Sequence, residues 1–152
     1  MNLFTAMEVS ASGLTAERIR MNALASNLAN ARTTRTAAGG PYKRVDPVFR
    51  AVPMIERTSE LSPPDPTQQY NQNVGGTYLV EVPSIRQDES APQLIYDPQH
   101  PDADARGFVA MPNVNVVEEM VNMITASRSY EAGVTVMQTL KGMAQSALSI
   151  GA

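Results

Sequence analysis

The sequence predicts a mainly α protein with a small β-rich, irregular middle, its long N- and C-terminal helices packing as a coiled-coil-like pair. Three observations predict it. All 11 prolines lie between Pro41 and Pro112, leaving about 40 proline-free residues at each end of the 152-residue chain. Proline removes a backbone donor and clashes with the preceding turn, so only the two ends are free to form long helices. Apolar residues recur every seven positions near the N-terminus, and a helix-start pattern opens the C-terminal stretch. The expected organisation is therefore an N-terminal helix over 1–31, a proline-rich linker with a β-containing middle over 32–112, and a C-terminal helix over 113–152.

In the first segment Met7, Leu14, Met21 and Leu28 are seven residues apart, with Ala11, Leu24 and Ala25 at the intervening offsets. Arg18 interrupts the row from Ala11 to Ala25, and its alkyl stem is long enough to lie along an apolar surface while its charge reaches solvent. A helix of about 28 residues is roughly 40 Å long, more than so small a domain needs. The polar stretch Thr33 to Gly40 reads as a flexible join into the middle. There, Val45–Val52, Thr77–Val82 and Gln93–Tyr96 have strand character, with Pro47 and Pro92 restricting their segments to edges. Gly75-Gly76 predicts a turn folding Thr77–Val82 back on Gln68–Val74, and Pro63-Pro64-Asp65-Pro66 predicts a stiff loop. In the last segment Asn115 is a capping residue ahead of a helix starting near Val116, with Glu118 and Glu119 in the dipole-favoured first turn. Met120, Ile124, Ser127, Val134, Met137, Ala144 and Leu148 then trace one face, which Gly133 and Gly142 soften.

Charge is sparse on these helices: residues 1–31 and 116–152 carry 9 charged side chains in 68 positions, about half the roughly 25% of an ordinary soluble domain. Asn22, Ser26, Asn27, Asn30, Asn122, Thr125, Gln138 and Gln145 take up the outer faces instead. Weakly charged faces suit contact with other subunits, where lysine and glutamate are depleted. The candidate subunit-interface residues are therefore Met7, Leu14, Met21, Leu24, Leu28, Met120, Ile124, Val134, Met137 and Leu148. Periodicity and composition leave open whether these seams meet within one chain or between chains.

Other function classes find little support. A net charge of −3 with scattered basic residues predicts no nucleic-acid partner. The absence of cysteine excludes disulfides, thiolate metal sites and cysteine nucleophiles. No stretch approaches the roughly 18 consecutive apolar residues of a membrane span, and Arg18 is the first basic side chain, so no cleaved signal is expected. Any triad or general base must use His100, the single histidine, in Tyr96-Asp97-Pro98-Gln99-His100-Pro101-Asp102-Ala103-Asp104. The stronger reading of that segment is a proline-fixed turn whose aspartates bond local backbone. Asp102 and Asp104 resemble the start of a calcium loop, but Arg106 and Asn113 occupy positions where ligands are required. Helically spaced methionines read as core rather than as a soft metal site. No cofactor, metal or small-molecule substrate is expected.

The run from Ala11 to Ala31, with its Ser12-Gly13-Leu14 start and Asn27-Leu28-Ala29-Asn30 end, closely resembles the N-terminal signature of flagellar rod and hook proteins. Within that axial family, Thr33-Thr34-Arg35-Thr36, Gly39-Gly40-Pro41-Tyr42, the Tyr96–Asp104 segment and Pro112 to Met123 resemble the proximal-rod members, over nearly the whole chain. One departure is Gly133, where the family commonly has asparagine. The resemblance implies a non-enzymatic axial subunit exported unfolded through the flagellar type III apparatus. It implies terminal helices forming one axial domain in the tube that transmits motor torque and encloses the export channel. The implied partners are neighbouring copies, other rod proteins, the export apparatus and the inner-membrane ring at the rod base. The competing readings are a secreted coiled-coil adaptor of a type III system and an enzyme centred on His100, Asp102 and Asp104.

Overall fold

The structure, a computed structural model, describes residues 3–54 and 76–150. Helix α1 spans Leu3–Ala29, and strands β1 (Val45–Pro53), β2 (Tyr78–Gln87), β3 (Gln93–Tyr96) and β4 (Phe108–Met111) precede helix α2 (Val116–Ile150). Two long helices thus bracket a small β region, as the proline distribution requires. The start of α2 rests on the expected cap: Asn115 Oδ1 accepts from the amides of Val117 (3.1 Å) and Glu118 (3.4 Å). Both helices run unbroken, α2 passing through Gly133 and Gly142 over 35 residues, about 50 Å at 1.5 Å per residue.

The strands form two two-stranded ribbons rather than one sheet: β1 pairs with β2, and β3 with β4. Gln93 stands opposite Met111 and Tyr96 opposite Phe108 in the antiparallel β3–β4 pair. Among the described residues every strand is an edge strand, so prolines at 47 and 83 can turn their missing donors away from the ladder. That freedom lets β2 continue past Pro83 to Gln87, beyond the expected Thr77–Val82. Strand β4 lies outside the expected strands, because its four apolar residues sit between turn-forming segments. The turn expected at Gly75-Gly76 and the Pro63–Pro66 loop involve residues outside those described.

Two compact units result. One contains Met1–Arg18, Phe49–Pro83 and Ser129–Ala152; the other contains Ile19–Val48 and Ser84–Arg128. The tightest apolar burial falls on Ala16, Ala23, Leu24, Leu79, Val109, Val114 and Ala126. Along α1 the exposed positions form a single row, Phe4, Glu8, Ala11, Thr15, Arg18, Asn22, Ala25 and Ala29. Arg18 is therefore on the open face and needs no snorkelling along a seam. Along α2 the covered row is Glu119, Met123, Ala126, Tyr130, Gly133, Met137, Leu140 and Ala144, alternating by four and three residues.

Two polar residues correct the expected pattern. Asn27, expected on an outer polar face, is fully buried, and so is Glu119, expected as a first-turn charge. Burial of either is tolerable only with complete hydrogen bonding.

Candidate functional site

The buried asparagine has every partner its amide can use. Asn27 Nδ2 donates to the Val45 carbonyl (2.9 Å) and to Glu119 Oε2 (3.0 Å). Asn27 Oδ1 accepts from the Val45 amide (2.9 Å) and from the Tyr42 hydroxyl (3.0 Å). The side chain therefore pairs with both backbone groups of Val45, as a neighbouring strand would, at the residue where β1 begins. Ser26 Oγ lies 3.2 Å from the Tyr42 hydroxyl, whose proton is committed to Asn27. Glu119 Oε1 accepts from Arg44 Nε at 2.7 Å, and the Arg44 guanidinium also meets Asp46. Burial disfavours the charged guanidinium, but the hydrogen bond and charge of Glu119, with Asp46 behind them, outweigh it and raise the Arg44 pKa. One network thus ties α1, β1 and α2 together within a single unit.

The other unit holds a close helix contact. A Cβ added at Gly133 would lie 2.9 Å from Leu14 Cδ2 and 3.3 Å from its Cγ. Glycine is therefore what lets the Leu14 side chain reach the α2 backbone. Beside this contact is an open groove of about 310 Å³ whose lining includes Leu14, Gly133, Phe49, Val80, Val136 and Glu17.

The ten candidate interface residues divide. Leu24 is buried, and Met7, Leu14, Met21, Leu28, Val134 and Met137 are half-buried. Met120, Ile124 and Leu148 are exposed, Leu148 at 75%. The face expected on α2 is thus two faces. Ala126, Gly133 and Ala144 belong to its covered row and carry little or no side chain. Large apolar groups stand on the open side, including Val117 at 70% and Val121 at 57% exposure.

The acidic segment is a set of turns. Asp97 Oδ1 accepts from the Gln99 amide, His100 Nδ1 from the Asp102 amide, and Asp104 Oδ1 from the amides of Arg106 and Phe108. Asp102 Oδ2 accepts from Thr34 at 2.7 Å, fastening the 33–40 loop to this turn. Gly107 takes φ +82°, and a Cβ there would lie 2.9 Å from the Tyr96 ring, which packs edge-on against Phe108 with centroids 5.3 Å apart. Farther along, Asp88 is drawn below the ordinary carboxylate range by the hydroxyl and amide of Ser90. These carboxylates are occupied by amides and hydroxyls, and among the described residues no cluster of three or more metal-ligating side chains occurs.

Long, weakly charged terminal helices around a small β middle are what the flagellar axial signature implied; the buried asparagine that joins them comes from its Asn-Leu-Ala-Asn run. The family model described as flagella basal body rod protein matches residues 7–35, and the flagellar basal body rod FlgEFG protein C-terminal model matches residues 105–150. The chain belongs to the flagellar basal-body rod proteins. Within them it belongs to the FlgC family. It is 44% identical to flagellar basal-body rod protein FlgC of Borreliella burgdorferi, covering 99% of this chain and 98% of that one. It is 41% identical to the Bacillus subtilis FlgC, covering 99% of both, and 38% identical to that of Salmonella typhimurium over the same share.

Proposed function

We propose that the chain is a non-enzymatic structural subunit of the proximal rod. It polymerises through its terminal helices into the drive shaft that transmits motor torque and encloses the export channel. The observation that carries this reading is the open side of α2, where Val117, Met120, Val121, Ile124 and Leu148 stand exposed on a surface with few charges. Apolar area of this kind is normally buried in an assembly. Family membership supports other rod proteins as neighbours. The chain reaches the periplasmic rod through the flagellar type III apparatus without cleavage of a signal, and the base of the rod meets the export apparatus and the inner-membrane ring. No helix among the described residues is long and apolar enough to cross a membrane.

The first test is whether the chain co-purifies at several copies per particle with salt-washed basal bodies. Absence from intact particles would return the secreted-adaptor reading to first place. Leu14→Asp puts a charge where Leu14 meets Gly133; cells carrying it are expected to express the chain, assemble no rod and fail to swim. Normal swimming would contradict the role given to the helices. His100→Ala separates the structural reading from catalysis. Because the His100 ring accepts from one turn amide at 3.1 Å and the backbone bonds of that turn survive the substitution, rod assembly and swimming speed are expected to stay at wild-type levels, whereas an enzyme would lose function.

A further inference from the structure

The open faces of the two helices carry the same charge order. On α1, Glu8 and Arg18 are exposed and ten residues apart; on α2, Glu118 and Arg128 are exposed and ten residues apart. Ten helical residues span about 15 Å, so the two acid–base pairs have equal length. A parallel alignment would set acid against acid and base against base. An antiparallel one sets Glu8 against Arg128 and Arg18 against Glu118. In that register Ala11 and Thr15 come opposite Thr125 and Val121, with Ile124 between them. Val121 and Ile124 are each 57% exposed, and small side chains on the facing helix allow the close approach that large ones need.

Resting on the rod reading, we propose that the α1 face of one copy docks antiparallel on the first turns of α2 of a second copy, in the register that pairs Arg18 with Glu118. Val121 and Ile124 supply the buried apolar area. The charges contribute mainly orientation and register, since exposed ion pairs add little affinity but strongly penalise like-charge alignments. The two surfaces differ, so the contact is head-to-tail and repeats from copy to copy, as a helical polymer requires.

The natural chain has no cysteine, which makes the register directly testable. Cells would carry full-length Thr15→Cys/Val121→Cys as the sole copy, and their basal bodies would be oxidised and run on a non-reducing gel. A ladder of disulfide-linked multimers is expected from the double variant and none from either single variant. Incorporation of the double variant that stays monomeric would overturn the proposal while leaving the rod reading intact. Absence of the wild-type chain from basal bodies would overturn both. Independently, Arg18→Glu and Glu118→Arg are each expected to lower incorporation about tenfold by placing like charges together, and their combination to restore it. A charge-swapped pair no better than its single variants would also refute this docking.

Discussion

Replacing Glu119 with leucine is expected to destabilise the subunit by about 3–5 kcal/mol, the cost of removing one partner from a buried pair. The carboxylate is 1% exposed and serves two donors: Arg44 Nε at 2.7 Å and Asn27 Nδ2 at 3.0 Å. Leucine fills similar volume but accepts nothing, so an amide proton of fully buried Asn27 is left without a partner. Arg44 keeps Asp46 but loses the acceptor that most offsets the cost of its burial. Glu119→Gln keeps one acceptor oxygen for Asn27 but turns its NH2 towards the Arg44 Nε donor, losing that charged hydrogen bond, so about 2 kcal/mol is expected, in the range of a charged hydrogen bond. Urea unfolding of the purified chain gives both numbers, and the midpoint is expected to fall with an unchanged slope. Amide exchange at Val45 supplies a local readout, because that amide donates to Asn27 and opens when Asn27 loses its anchor. A loss below about 1 kcal/mol for the leucine variant would show that the network is not what holds the three elements together.

The legible part of this fold was local. Proline placement located both helices, and Asn115 fixed the start of α2, because steric exclusion and capping act over a few residues. The flagellar resemblance was equally local, carried by contiguous runs of sequence. Asn27 reads as a surface residue in the sequence because its acid partner is 92 positions away. A signal was available: Ala16, Ala23, Leu24 and Asn27 fall on one side of α1, so an asparagine in line with small and apolar residues marked a buried polar group needing partners. On α2 the expected row shares Met137 and Ala144 with the covered one, but Glu119, Ala126 and Gly133, which offer periodicity no large apolar side chain, help set the rest of it. A monomer's seam and a polymer's interface both attract hydrophobic residues, and spacing alone does not separate them. Strand β4 was hidden for another reason: its residues pair only with Gln93–Tyr96, across a turn ordered by Asp97, Asp104 and Gly107.

Gly133→Val tests how tightly the helices approach in the unit that contains Leu14. Taken alone, glycine in a helix interior is unfavourable by about 1 kcal/mol relative to alanine, so most substitutions here should stabilise α2. The added Cβ, however, meets Leu14 Cδ2 at 2.9 Å and Cγ at 3.3 Å, distances that force a neighbour to move. For Gly133→Ala the neighbour is the far end of a flexible side chain, and the propensity gain roughly offsets the displacement, leaving a change within about 1 kcal/mol. Valine adds two further methyl groups at the same place, so the Leu14 side chain must move farther than it does for alanine. A net loss of about 1–3 kcal/mol is expected, as in other overpacked sites. The decisive measurement is the double-mutant cycle with Leu14→Ala. If the clash is the cause, shortening Leu14 relieves it, and the double variant is expected to be at least about 1 kcal/mol more stable than the sum of the single effects predicts. Additive effects would place the cost in the helix backbone itself. In that case Gly133 would matter as a soft point of α2, and the spacing between the helices would have to be set elsewhere.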